Sequence, residues 1–229
     1  MTKLRLCLLA TAGALMIAGS AQAQDKLVTF TGNLGATTDY VFRGISQTNE
    51  QPAIQGGVDA SAGIFYTGLW ASNVDFGDST DGELDTYIGV KPVLGPVTLD
   101  LGLIYYGYLD APTGADYGNF EGKAAASFAA GKATVGAAIF YSGDSFGAAK
   151  AAAYYEVNAA VPVLETVTIG GAFGHQAYKG AGDYSTWNVG ATWALAPHFA
   201  FDFRYFDTDE HGFGKLYGER GVISLKASY

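Results

Sequence analysis

Cysteine is almost missing from this chain of 229 residues: Cys7 is the single one. It stands at the start of an apolar run and not at the end, where a lipidated cysteine would stand. Beyond it the chain can form no disulfide and offer no thiol chemistry. Charge is also scarce, at 15% of residues against about 25% in an average soluble domain. What charge there is leans acidic. Without Lys3 and Arg5 the 13 basic residues fall to 11 against 22 acidic ones, a balance near -11 that argues against a nucleic-acid partner. After the first 18 residues there is no apolar run long enough for a membrane helix, so a membrane-spanning form would have to be a closed barrel. Helix signals are few. The one Ala-rich stretch, Ala148 to Ala153, runs into Tyr154-Tyr155-Glu156-Val157-Asn158, which is strand composition.

Histidine is limited to His175, His198 and His211, none in a motif that fixes a nucleophile or base. Asp207-Thr208-Asp209-Glu210-His211 lacks the alternating acids, Gly and final Glu of a calcium loop. Phosphate-cradling loops and zinc spacings are absent as well. No cofactor and no metal are expected, and an enzymatic role is disfavoured, although His175 beside a strand hydroxyl such as Ser185 is the arrangement a catalytic reading would need.

The features present point to export. Lys3 and Arg5 precede an apolar stretch from Leu6 to Ala18, followed by Ala21-Gln22-Ala23. This is the pattern of a secretory signal peptide over residues 1–23, cleaved before Gln24. The expected remainder, 24–229, is an all-β, antiparallel transmembrane β-barrel. Strand patterns occur at about 26–42, 52–62, 64–75, 83–93, 96–109, 119–130, 132–142, 150–161, 165–177, 184–195, 198–208 and 216–229, about twelve in all. Their connections alternate. Tight turns at Ala62-Gly63, Leu94-Gly95-Pro96, Ala130-Gly131-Lys132, Pro162-Val163-Leu164 and Ala196-Pro197 interleave with longer polar loops from Gly44 to Gln51, Phe76 to Gly82, Asp110 to Gly118, Gly143 to Ala149, Tyr178 to Asp183 and Asp209 to Lys215. Short periplasmic turns and longer extracellular loops are the outer-membrane pattern.

Parity assigns the faces. Phe199, Phe201, Phe203 and Tyr205 alternate with Asp202 and Arg204, and Ile223, Leu225, Ala227 and Tyr229 alternate with Ser224, Lys226 and Ser228. A charge on the lipid face near the midplane costs roughly 2–4 kcal/mol for Arg or Lys, so the charged positions belong inside. The candidate pore lining is therefore Asp39, Arg43, Asp59, Asp85, Asp100, Glu121, Lys123, Glu156, Asp202 and Arg204. Tyr66, Trp70, Tyr105, Tyr155, Trp187, Trp193 and Tyr229 are the candidate aromatic girdle. Tyr87, Tyr106, Tyr108, Tyr141 and Tyr154 have lumenal parity and could close the bore. The apolar C-terminal strand suits recognition by the barrel-assembly machinery. The acidic loops suit weak cation preference or divalent bridging to lipopolysaccharide.

Three segments carry a resemblance: Thr38-Asp39-Tyr40-Val41-Phe42-Arg43-Gly44-Ile45-Ser46-Gln47-Thr48, Pro52-Ala53-Ile54-Gln55-Gly56-Gly57, and Gly68-Leu69-Trp70-Ala71-Ser72-Asn73-Val74-Asp75-Phe76. They resemble the TorF-family porins of proteobacteria, and the likeness continues more loosely through Ile104-Tyr105-Tyr106-Gly107-Tyr108. The resemblance implies an outer-membrane barrel that carries the name of a porin, with no agreed substrate; solute passage is an inference from that architecture. Asp39 and Arg43 share a parity near the end of the first expected strand, where Gly44 begins a loop. They would form either a charged constriction or a structural ion pair. A channel, a plugged structural or adhesive barrel, and an outer-membrane enzyme remain as readings of the whole.

Overall fold

The computed structural model describes residues 27–147 and 150–229. The segment expected as a signal peptide, with its expected cleavage site, lies outside the described residues. Twelve antiparallel strands form the wall: β1 (Thr29–Thr37), β4 (Ala53–Ala62), β5 (Phe65–Asn73), β6 (Gly82–Val90), β8 (Val97–Leu109), β9 (Asn119–Ala130), β10 (Ala133–Ser142), β11 (Ala152–Pro162), β12 (Val167–Tyr178), β13 (Tyr184–Ala196), β14 (Phe199–Thr208) and β15 (Arg220–Ser228). The two-residue β7 (Val93–Leu94) continues β6 past Lys91-Pro92, and β2 (Val41–Phe42) pairs only with β3 (Ile45–Ser46). The wall closes where β1 meets β15, from Asn33 opposite Ser228 to Thr37 opposite Ser224. Closure leaves no open sheet edge, which is what lets a sheet cross hydrocarbon with its backbone groups paired.

Local chemistry explains the turns. Gly63-Ile64, Gly95-Pro96 and Gly131-Lys132 are two-residue hairpin loops whose first residue, glycine, has φ of 60°, 60° and 65°. A positive φ at that position matches the twist of the flanking strands. These short turns share one rim with the chain ends of the wall, and the longer connections share the other.

The outer surface is apolar. Phe30, Leu34, Ile54, Val58, Leu69, Ile88, Leu101, Leu103, Val157, Phe173, Val189 and Phe203 all stand exposed on it. A band of this kind is a liability in water and an asset in lipid. Tyr105, Tyr155, Trp193 and Tyr229 share that face, and Trp187 has the same parity as exposed Val189. Two girdle candidates do not belong there. Tyr66 and Trp70 point inward, because β5 turns Phe65, Thr67, Leu69 and Ala71 outward. Tyr141 also reverses: it is exposed on the outside, and its neighbour Phe140 is buried within.

Candidate functional site

The first expected strand does not run on to residue 42. β1 ends at Thr37, and residues 38–52, expected as the end of a strand and an external loop, fold into the barrel instead. The reason is local. Val41-Phe42 and Ile45-Ser46 flank Arg43-Gly44, whose φ values of 49° and 84° are both positive, the pattern of a tight type I′ hairpin. Gly44 is also required for space, since a Cβ there would collide with the Thr186 and Thr208 side chains on the opposing wall.

Two ion pairs pin this hairpin, and neither joins Asp39 to Arg43. At the tip, Arg43 donates Nη2 to Glu121 Oε1 at 2.7 Å and Nη1 to Glu121 Oε2 at 2.9 Å, with Gln176 Oε1 at 3.2 Å from Nη1. Both side chains of the pair are more than nine-tenths buried. The guanidinium lies between aromatic rings, 4.7 Å from the Phe42 centroid, 4.9 Å from Phe140 and 4.5 Å from Tyr154. Planar, bidentate and stacked, it uses what arginine has and lysine lacks. At the base, Asp39 accepts from Ser46 Oγ at 2.7 Å, Thr48 Oγ1 at 3.0 Å and Arg220 Nη1 at 3.0 Å. Tyr184 adds a hydroxyl to the Arg43 carbonyl at 3.0 Å.

The other candidate lining residues face inward around this plug. Asp202 and Arg204 pair at 3.1 Å, with Thr192 donating to Asp202 at 2.6 Å and Arg204 donating to Asn188 at 2.8 Å. Asp100 gathers Lys123 at 2.8 Å, Lys91 at 3.7 Å and the Tyr66 hydroxyl at 2.6 Å. Asp59 accepts from Tyr87 at 2.6 Å, and Glu156 accepts from Asn158 at 2.9 Å. Asp85 faces the same interior and is buried. Sequence reasoning missed Arg220, Gln176, Glu83 and the hairpin itself. The available signal was Gly44 as second residue of a two-residue turn between short alternating flanks.

A cavity of about 170 Å³ remains beside the hairpin. Asn33, Gln55, Glu156, Asn188, Arg204 and Lys226 help to line it, and no residue of β6, β8, β9 or β10 does. At the loop rim Phe76, Tyr108, Tyr117 and Phe146 pack ring on ring, with Tyr117 and Phe146 stacked at 4.4 Å. The Thr80 N–H and the Tyr117 hydroxyl hold the Asp78 carboxyl there below the usual carboxylate range.

The histidines form no catalytic constellation among the described residues. His175 lies 3.2 Å from Ser185 Oγ on the outward parity of β12. His198 stacks on Tyr229 at 5.2 Å. His211 bonds Asp207 at 2.7 Å, and that hydrogen bond holds its imidazole above the usual histidine range.

The fold matches solved outer-membrane barrels. Similarity to the KdgM porin gives a TM-score of 0.63 at 9% identity, covering 87% of this chain and 99% of that one. The NanC porin gives 0.57 at 9% identity, covering 88% and 99%. The COG4313 outer membrane channel from Pseudomonas putida F1 gives 0.51 at 10% identity, covering 91% and 99%. No curated protein matches the sequence. A family profile does, over residues 21–228, and the chain accordingly belongs to Gcw_chp, a family of bacterial proteins of unknown function.

Proposed function

We propose that the protein is an outer-membrane, porin-like channel that passes small hydrophilic solutes passively through a lumen narrowed by its own hairpin. The observation that carries this reading is the cavity left beside the hairpin, lined mainly by β11 to β15 and β1. Its walls offer amides, hydroxyls and charges of both signs, and it is too small for bulky solutes. The porin-barrel fold supports the reading, as does the likeness of residues 38–76 to TorF-family porins. Along the cavity Asp39, Glu156 and Asp202 are balanced by Arg43, Arg204 and Lys226. Selectivity therefore falls to the rim, where Asp75, Asp78, Asp81, Asp110, Asp116 and Asp144 favour cations weakly. The same acids suit divalent bridging to lipopolysaccharide, and the apolar face of β15 suits recognition by the assembly machinery. No catalytic role is proposed.

The test is conductance and reversal potential in a planar bilayer under a salt gradient. Discrete steps with a reversal potential modestly towards the cation value are expected, and anion-directed reversal would refute the selectivity. The buried Arg43–Glu121 pair favours one second reading, a plugged structural barrel. Folded protein that stays silent even after the hairpin is cut out would replace the channel with that reading.

A further inference from the structure

Among the described residues, three buried side-chain atoms have no hydrogen-bond partner: Thr80 Oγ1, Glu83 Oε2 and Asp85 Oδ1. All are oxygens, and all lie within six residues at the loop-rim end of β6. Buried polar atoms in folded proteins are nearly always paired, so unpaired carboxylate oxygens on both Glu83 and Asp85 point to a missing partner. Glu83 and Asp85 stand two residues apart on the inward face of one strand, with exposures of 3% and 8%. Thr80 is equally buried, at 2%.

The surroundings offer these carboxylates no cation. The buried arginines are committed elsewhere, Arg43 to Glu121 and Arg220 to Asp39. Among the described residues no ion pair within 4.0 Å includes Glu83 or Asp85. Their cross-strand neighbours are Ser72 and Tyr108 for Glu83, and Trp70 and Tyr106 for Asp85. The hairpin covers the corner, Tyr40 packing on Trp70 at 5.3 Å and Phe42 on Tyr106 at 5.8 Å. Only the Tyr108 hydroxyl, at 3.2 Å from Glu83 Oε1, and the Tyr40 hydroxyl supply donors to Glu83. Two carboxylates in an aromatic, water-poor corner without a counter-charge are unfavourable unless an ion or proton neutralises them.

We propose that Glu83 and Asp85 form the core of a binding site for one hard divalent cation of the Ca²⁺ class between the wall and the base of the hairpin. Every available donor is oxygen, which excludes soft metals, and two carboxylates balance a double charge. Ca²⁺ suits the site better than Mg²⁺, because carboxylates two residues apart on one strand offer an irregular donor set that Ca²⁺ accepts, whereas Mg²⁺ demands a regular octahedron. The ion would also fix Tyr40, and through it the hairpin, against β5 and β6.

The test uses the chain without residues 1–23, refolded in detergent and stripped with EDTA. Tb³⁺ is titrated in with excitation of tyrosine, since Tyr40 and Tyr108 border the site, and is then competed with Ca²⁺ and Mg²⁺. The expected result is saturable sensitised luminescence displaced more readily by Ca²⁺. A rise of roughly 5 °C in the unfolding midpoint is expected at a hundredfold excess of Ca²⁺ over its Kd. The double variant Glu83→Gln/Asp85→Asn should lose both responses yet still fold, as judged by heat-modifiable gel migration, because it removes the buried charge with little change of shape. Luminescence that persists in the double variant would assign the ion to exposed acids at the rim and overturn the proposal. A wild type indifferent to Ca²⁺, with Asp85→Asn alone more stable, would overturn it in favour of two carboxyl groups sharing a proton.

Discussion

The two halves of the barrel interior are built from the same alternating strands and end in opposite states. Along β5, β6 and β8 to β10 the inward positions carry the large side chains Tyr66, Tyr87, Tyr106, Tyr108, Lys123 and Phe140, and the hairpin packs on this side, Phe42 on Tyr106 and Arg43 on Phe140. Along β12 to β15 and β1 the cavity-lining positions include the small Ala172, Thr186, Thr192, Ala200, Ser224 and Gly35 beside the larger Asn188, Arg204, Phe206 and Lys226. There the hairpin leaves space. Both halves have a backbone of the same kind, so side-chain volume at every second position decides whether a barrel of this size is filled or open. The hairpin belongs to the filled half through its rings and reaches the other by Gly44 resting on Thr186 and Thr208. Strand number alone could not have distinguished these outcomes.

Three substitutions would break or sharpen this contrast. Arg43→Ala has the largest expected effect. It leaves Glu121 buried without its partner, at a cost of about 3–5 kcal/mol, and it frees the hairpin tip. Denaturant unfolding should show the loss, single-channel conductance should rise, and adding Glu121→Gln should restore much of the stability while keeping the larger conductance. Unchanged conductance in a folded Arg43→Ala barrel would mean that the hairpin does not set the bore. Ala172→Tyr comes next. It gives the open half the kind of residue that fills the other, so conductance should drop by half or more, with a loss of about 1–3 kcal/mol where the ring crowds its neighbours, read from single-channel records and urea unfolding. The smallest effect lies outside the barrel, at His211. Its hydrogen bond to Asp207 raises the folded imidazole above the unfolded value of about 6.5. The small stabilisation is therefore complete below that pH and fades as pH rises through the folded value. An NMR titration should place the His211 midpoint above a model histidine, and Asp207→Asn should bring it back down.

Particular residues show how far the sequence could be read. The eleventh strand pattern was clear because Phe199, Phe201, Phe203 and Tyr205 alternate with a polar pair, so one face could only be outside. The third pattern misled. In Tyr66-Thr67-Gly68-Leu69-Trp70 both faces are compatible with lipid, and the large rings drew the girdle assignment to Tyr66 and Trp70. The structure turns them inward, where Tyr66 reaches Asp100 and Trp70 meets Tyr40. A strand with no charge on either face carries no internal marker of its parity, and a one-residue slip exchanges the faces. Tyr141 failed for the same reason, since Phe140 beside it fits either side equally well.

Period-two alternation, glycines placed at two-residue turns and loops sorted by length determined by themselves the closed twelve-strand barrel, because these are local signals that the chain carries strand by strand. The inward fold of residues 38–52 and the partners of its charges were decided only by the tertiary structure. Arg43 finds Glu121, 78 residues away, and Asp39 finds Arg220, 181 away. Ring closure brings such positions together across the lumen, and no local pattern records which carboxylate a buried guanidinium will face.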